Sequence, residues 1–123
     1  MKNAVNWFEI PVTDYERAKK FYSEILGQEI KDHHMETMKY GIFPYEEENH
    51  NVGGAIMQME GTNPSRHGST VYLNGGEDLS IPLSKVEAAG GSIIMPKTDI
   101  QENGFIAQFL DTEGNRVALH SMN

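Results

Sequence analysis

A carboxylate and an indole two residues apart on one strand are the first side chains in this sequence that could do chemistry together. Residues Val5 to Val12 alternate in the strand sense. Val5, Trp7, Glu9 and Pro11 share one face, and Asn6, Phe8, Ile10 and Val12 share the other. The second set is mainly apolar and suits a core. A ring beside a carboxylate does not, and it suits the wall of a cavity. There Glu9 is a candidate general base and Trp7 a stacking surface for a planar ligand. Near the other end, His120 shares a strand face with Arg116 and Ala118, which makes it the candidate partner acid. Each has a plainer reading: Glu9 as the ion-pair partner of an Arg or Lys at a cavity mouth, His120 as an exposed residue, Trp7 as core packing. Tyr40 and Tyr72 could each offer a hydroxyl to a ligand. Met35, Met38, Met57 and Met59 are dispersed along strands, where they fill a core or, as with Met57, form an adaptable pocket wall. His33 and His34, read as adjacent strand residues, point to opposite faces and cannot form one site. His50 and His67 lie in polar loops.

Composition removes several classes of function. The 123 residues suit one domain, or two half-domains with a shared core. A net charge of −8 without a Lys/Arg cluster argues against nucleic acid as partner. Glu46-Glu47-Glu48 reads as a solvated loop. With no cysteine there is no disulfide framework, thiolate metal site or thiol nucleophile. No apolar run is long enough to span a membrane, and Met1-Lys2-Asn3-Ala4 leads directly into a strand pattern. These features fit a cytoplasmic protein. No P-loop, nucleophile elbow or dinucleotide fingerprint is present. Gly53-Gly54 and Gly75-Gly76 lack the strand–loop–helix setting that cradles phosphate.

The elements that must position these residues occur twice. One half reads strand, Asp14, amphipathic helix, Gly27; the other reads strand, Asp78, amphipathic helix, Gly90-Gly91. Asp14 to Gly27 and Asp78 to Gly91 are both 13 residues, and the halves are offset by 64. Ala18, Phe21, Tyr22, Ile25 and Leu26 give the first helix its apolar stripe. Asp14 caps it from one side only, because Arg17 stands where a capping box needs Glu. Strands are expected at about 29–36, 38–44, 52–59, 69–74, 92–96, 105–110 and 116–121. A tight turn falls near Thr37, and Asp111–Asn115 makes a hairpin connection. The expected fold is α+β. Two βαβββ modules, about 1–60 and 68–123 with a linker at 61–67, form curved sheets around a shared cavity.

The segment from Phe8 through Asp14-Tyr15-Glu16-Arg17-Ala18 to Phe21-Tyr22, closing on Ile25-Leu26-Gly27, resembles the opening of a vicinal oxygen chelate protein. That superfamily includes glyoxalase I, bleomycin-resistance proteins and extradiol dioxygenases. Lys85–Gly91 and Phe109-Leu-Asp-Thr-Glu-Gly-Asn-Arg116 agree with it, so the resemblance covers essentially the whole chain. It implies one metal ligand on the first and last strands of each half, drawn from His, Glu and Gln. The matching places here are Trp7, the window Ser69–Tyr72, Ala118, and a fourth strand on which only Gln58 could bind. The standard metal site is therefore expected to be missing, with no cofactor. A relocated set of Glu9, His120 and Gln58 holding Zn, Ni, Mn or Fe(II) is the alternative. Three functions stay open. One is a metal-free binder of a small organic molecule, with Trp7, Tyr40, Met57, Tyr72 and Ala118 lining the cavity. Another is a lyase, isomerase or dioxygenase-type enzyme using a relocated metal or Glu9 as base. The last is an interaction module whose cavity is filled by Trp7 and Met side chains. The resemblance also implies a homodimer.

Overall fold

The computed structural model describes residues 3–48 and 51–123; His50 lies outside them. The order is β1 (Trp7–Pro11), α1 (Tyr15–Leu26), β2 (Lys31–Asp32), β3 (Met38–Ile42), β4 (Gly53–Met59), β5 (Val71–Asn74), α2 (Ser80–Leu83), β6 (Ser92–Asp99), a 3₁₀ turn (Gln101–Asn103), β7 (Phe105–Leu110) and β8 (Arg116–Ser121). Two four-stranded sheets result, β1-β4-β3-β2 and β5-β8-β7-β6, neither of them closed. In each, the module's first strand lies parallel to its fourth, and the remaining pairs are antiparallel. The α+β architecture of two βαβββ modules is thus the one observed.

One apolar core joins the modules. Ile10, Val12, Phe21, Tyr22, Ile25 and Ile56 from the first pack with Leu73, Leu79, Val86, Phe109, Val117 and Leu119 from the second. Helix α1 lies between the sheets, and its Phe21 ring meets Phe109 at 5.8 Å between centroids. Burying each such side chain contributes about 1.5–3 kcal/mol. Gly91 permits this approach, because a Cβ there would meet the Leu110 carbonyl oxygen at 2.6 Å and the Phe21 ring at 2.8 Å.

The opposite faces of the sheets are not part of that core. On sheet one, Tyr40, Ala55 and Met57 form a separate small cluster, flanked by Met38, Ile42 and Met59, all from the first module. Trp7, Tyr72 and Ile94 keep 38%, 48% and 39% exposure. Trp7 is therefore not swallowed by methionine side chains.

Two local expectations need correction. The second helix is four residues long, not a counterpart of α1. From Lys85 the carbonyl acceptors alternate between three, four and five residues back, so residues 84–90 are a run of irregular turns. The N-cap of α2 is Leu79, and Asp78 before it accepts from the Ser80 N–H and from Lys97 Nζ. Strand β2 is only Lys31–Asp32, so His33 and His34 lie just beyond it, joined to β3 by the Met35–Met38 bridge across the turn at Thr37.

Candidate functional site

Strand register decides which candidate side chains meet. Strand β4 lies between β1 and β3, with Glu9 beside Ala55 and Tyr40 beside Met57. The small Ala55 and the unbranched Met57 leave room above them for larger neighbours to lean together. Trp7 Nε1 donates to Tyr40 Oη at 2.8 Å, and Tyr40 Oη donates to Glu9 Oε2 at 2.6 Å. Trp7, Tyr40 and Glu9 are thus one hydrogen-bonded chain on the open face of sheet one. Burial, then the bond to Glu9, raises the Tyr40 pKa, and the indole N–H opposes this only in part. The hydroxyl therefore stays a donor at neutral pH. Glu9 is exposed, and among the described residues it pairs with no Lys or Arg, so the ion-pair reading is replaced by Tyr40. Tyr45 stands edge-on to Trp7 at 5.9 Å.

The glycine pair on β4 belongs to this arrangement. Gly53 carries the Tyr45 ring and Gly54 the Phe8 ring, where any Cβ would clash. Packing of aromatic rings explains Gly53-Gly54.

Gln58 faces the other way. Its neighbours Met57 and Met59 take the open face, and its Oε1 accepts from the Tyr15 N–H at the start of α1. A three-ligand set of Glu9, His120 and Gln58 therefore does not come together on one face. His120 lies on sheet two, where its Nε2 bonds the Asn103 carbonyl oxygen at 2.6 Å. It lines a cavity of about 460 Å³ with Tyr72, Asn74, Ser121 and Met122. A second cavity, about 750 Å³, opens at the rim of sheet one, among His34, Met35, Lys39, Gln58, Met59 and Thr62. Neither brings Glu9 and His120 together. Ala118, fully buried, pairs with Tyr72 on one side and Gln108 on the other. Among the described residues no three His, Asp or Glu side chains gather as a metal group would.

Two positioning residues were not anticipated. His34 Nδ1 accepts from the Tyr40 N–H at 3.0 Å, and its ring stands edge-on to Tyr15 at 4.9 Å, which ties the middle of β3 to the segment before it. Glu113, its side chain fully enclosed, reaches from the β7–β8 turn to the start of α1. It accepts from Thr13 N–H, Thr13 Oγ1, Asp14 N–H and Arg17 Nε at 2.7–3.0 Å. Burial alone would raise its pKa, but Arg17, the Asp14 N–H and the two threonine hydroxyls overcome that and hold it at about 2. Asp111 accepts from the Tyr22 hydroxyl, from the N–H groups of Glu113 and Asn115, and from Asn115 Nδ2. The Asp-Thr-Glu-Gly-Asn run, read as a hairpin connection, also locks the modules together.

Solved structures with the same arrangement include glyoxalase I from Zea mays, with a TM-score of 0.71 at 21% identity. It is matched over 94% of this chain and 45% of that one. A glyoxalase/bleomycin resistance protein from Albidiferax ferrireducens matches over 98% of this chain and all of its own, with a TM-score of 0.70 at 17% identity. At such identities the likeness is one of fold. In sequence, a protein of Mycobacterium bovis named as a candidate glyoxylase, CFP32, is 28% identical over 96% of this chain. The chain spans 45% of that relative's length. The family model of the Glyoxalase/Bleomycin resistance protein/Dioxygenase superfamily matches residues 4–119, in agreement with the paired βαβββ modules, and the chain belongs to that superfamily.

Proposed function

We propose that this chain binds a small organic molecule against the open face of sheet one, without the metal of its chelating relatives. The observation that carries this reading is the Trp7–Tyr40–Glu9 chain. Tyr40 occupies one carboxylate oxygen and so orients Glu9, while the other oxygen has no partner among the described residues. An exposed indole beside an oriented carboxylate suits a flat guest with a cationic or strongly donating nitrogen. The net charge of −8 favours such a guest over a phosphorylated one. The metal-free reading is supported by Trp7 and Ala118 standing at two ligand positions and by Gln58 facing α1.

The cavity is completed, in this proposal, by a second copy of the chain. Support comes from the open sheet faces and the exposed Trp7 and Tyr72 on them.

The test uses Trp7, the single tryptophan, as reporter. Titrating the protein with benzamidine should change Trp7 fluorescence saturably, and Glu9→Gln should weaken that binding about tenfold or more. Equal binding by wild type and E9Q would reject the site. The same Glu9–Tyr40 contact favours a second reading, an acid–base enzyme with Glu9 as base and no metal. In that case E9Q retains binding of a true substrate and loses turnover.

A further inference from the structure

We infer that the open face of sheet two is a carboxylate-recognition site centred on Arg116. This deepens the binding reading above, since it rests on the same view that the open faces take the guest. Val117 and Leu119 point into the shared core, so Arg116, Ala118 and His120 point away from it. Arg116 is half-buried. Its Nε is fully enclosed, and no hydrogen bond or ion pair reaches it among the described residues. Its two Nη nitrogens are not enclosed and make no hydrogen bond among the described residues, so the outer edge of the guanidinium is the part open to a guest.

The strand residues beside it include several donors and no carboxylate. Tyr72 and Gln108 flank Ala118 on the two neighbouring strands. Leu110 lies beside Arg116 and Ile106 beside His120. The paired residues of β6 are Ser92, Met95 and Thr98. None of the strand residues on this face is Asp or Glu, in a chain that has 18 of them. Ala118 is itself fully covered, so what the face offers a guest is the guanidinium edge with the Gln108 amide and the Tyr72 phenol on the neighbouring strands. A guanidinium offers two parallel N–H groups that match the two oxygens of a carboxylate. The chain's overall negative charge favours a singly charged carboxylate over a doubly charged phosphate.

The experiment follows the arginine Nε–H resonances of the ¹⁵N-labelled full chain. There are three arginines, Arg17, Arg66 and Arg116. Arg17 is already paired with Glu113 and Arg66 is exposed, so both are internal controls. Benzoate should shift the Arg116 signal saturably, at a concentration about tenfold below any that moves Arg66. Benzamide, the uncharged isostere, should not. Arg116→Gln should abolish the accompanying shifts of the Tyr72 and Gln108 amides. Arg116→Lys keeps the charge, loses the planar pair of N–H donors, and should bind about tenfold more weakly. The inference is overturned if Arg66 and Arg116 respond alike, if benzamide matches benzoate, or if inorganic phosphate shifts Arg116 and benzoate does not. The Trp7 indole signal separates this from the reading of sheet one. Saturable benzoate shifts at Arg116 support the site even where benzamidine leaves Trp7 unmoved, an outcome that rejects only the sheet-one proposal.

Discussion

Tyr40 is the residue on which the candidate site turns. Its hydroxyl both accepts from Trp7 and donates to Glu9, so removing one oxygen atom unhooks two side chains. Tyr40→Phe should cost about 1 kcal/mol of stability, measured by denaturant unfolding, because the indole donor loses its partner. It should also weaken benzamidine binding while leaving the fold intact, by freeing the Glu9 carboxylate to rotate; unchanged affinity in Y40F would show that this orientation is unimportant. The shared face of Trp7 and Glu9 was legible in the sequence, because two-residue spacing on a strand fixes it. Tyr40 as the link was not, since that depends on how β1 and β3 register against β4. The facing of Gln58 was hidden for the same reason, and alternation settles it only once Met57 and Met59 are seen on the open side.

At the scale of elements, α1 shows where local sequence suffices and where it stops. Its apolar spacing, Asp14 cap and Gly27 terminus in the left-handed region are all as the sequence indicates. Its one-sided cap is completed from the other module: Glu113 accepts the Asp14 N–H, the bond a capping-box Glu at position 17 would make. No local pattern reveals a partner 99 residues away. The α2 segment misleads in the opposite direction, because helical apolar spacing there produces only one short turn before the backbone becomes irregular. Glu113→Ala should destabilise the protein by about 2–3 kcal/mol, since it strands the cap donors and Arg17. The pH dependence has a definite sign. A carboxyl held at about 2 against an ordinary 4.5 stabilises the fold fully above pH 4.5 and loses that contribution as pH falls toward 2. Wild-type stability should therefore drop through that window. Glu113→Gln should start lower and drop less steeply, and parallel curves for the two would remove Glu113 as the acid-sensitive group.

At the scale of the whole molecule, the two sheets place their core faces together and their open faces outward. The cavity expected between modules does not close around Glu9 and His120 within one chain. A dimer that covers the open faces should show in sedimentation as about twice the 13.8 kDa chain mass. Trp7→Lys should shift it toward monomer, by placing charge on a face meant to be covered. A wild-type monomer at working concentration would leave the faces as separate shallow sites. The interlock between the modules also bears on how the chain is made. The groups that finish the first helix belong to the turn at residues 111–115, and the wall against Phe21 is Phe109. On a ribosome, the first sixty residues emerge long before those partners exist. The N-terminal module must wait with its aromatic flank uncovered, so high contact order is built into the capping of its own first helix.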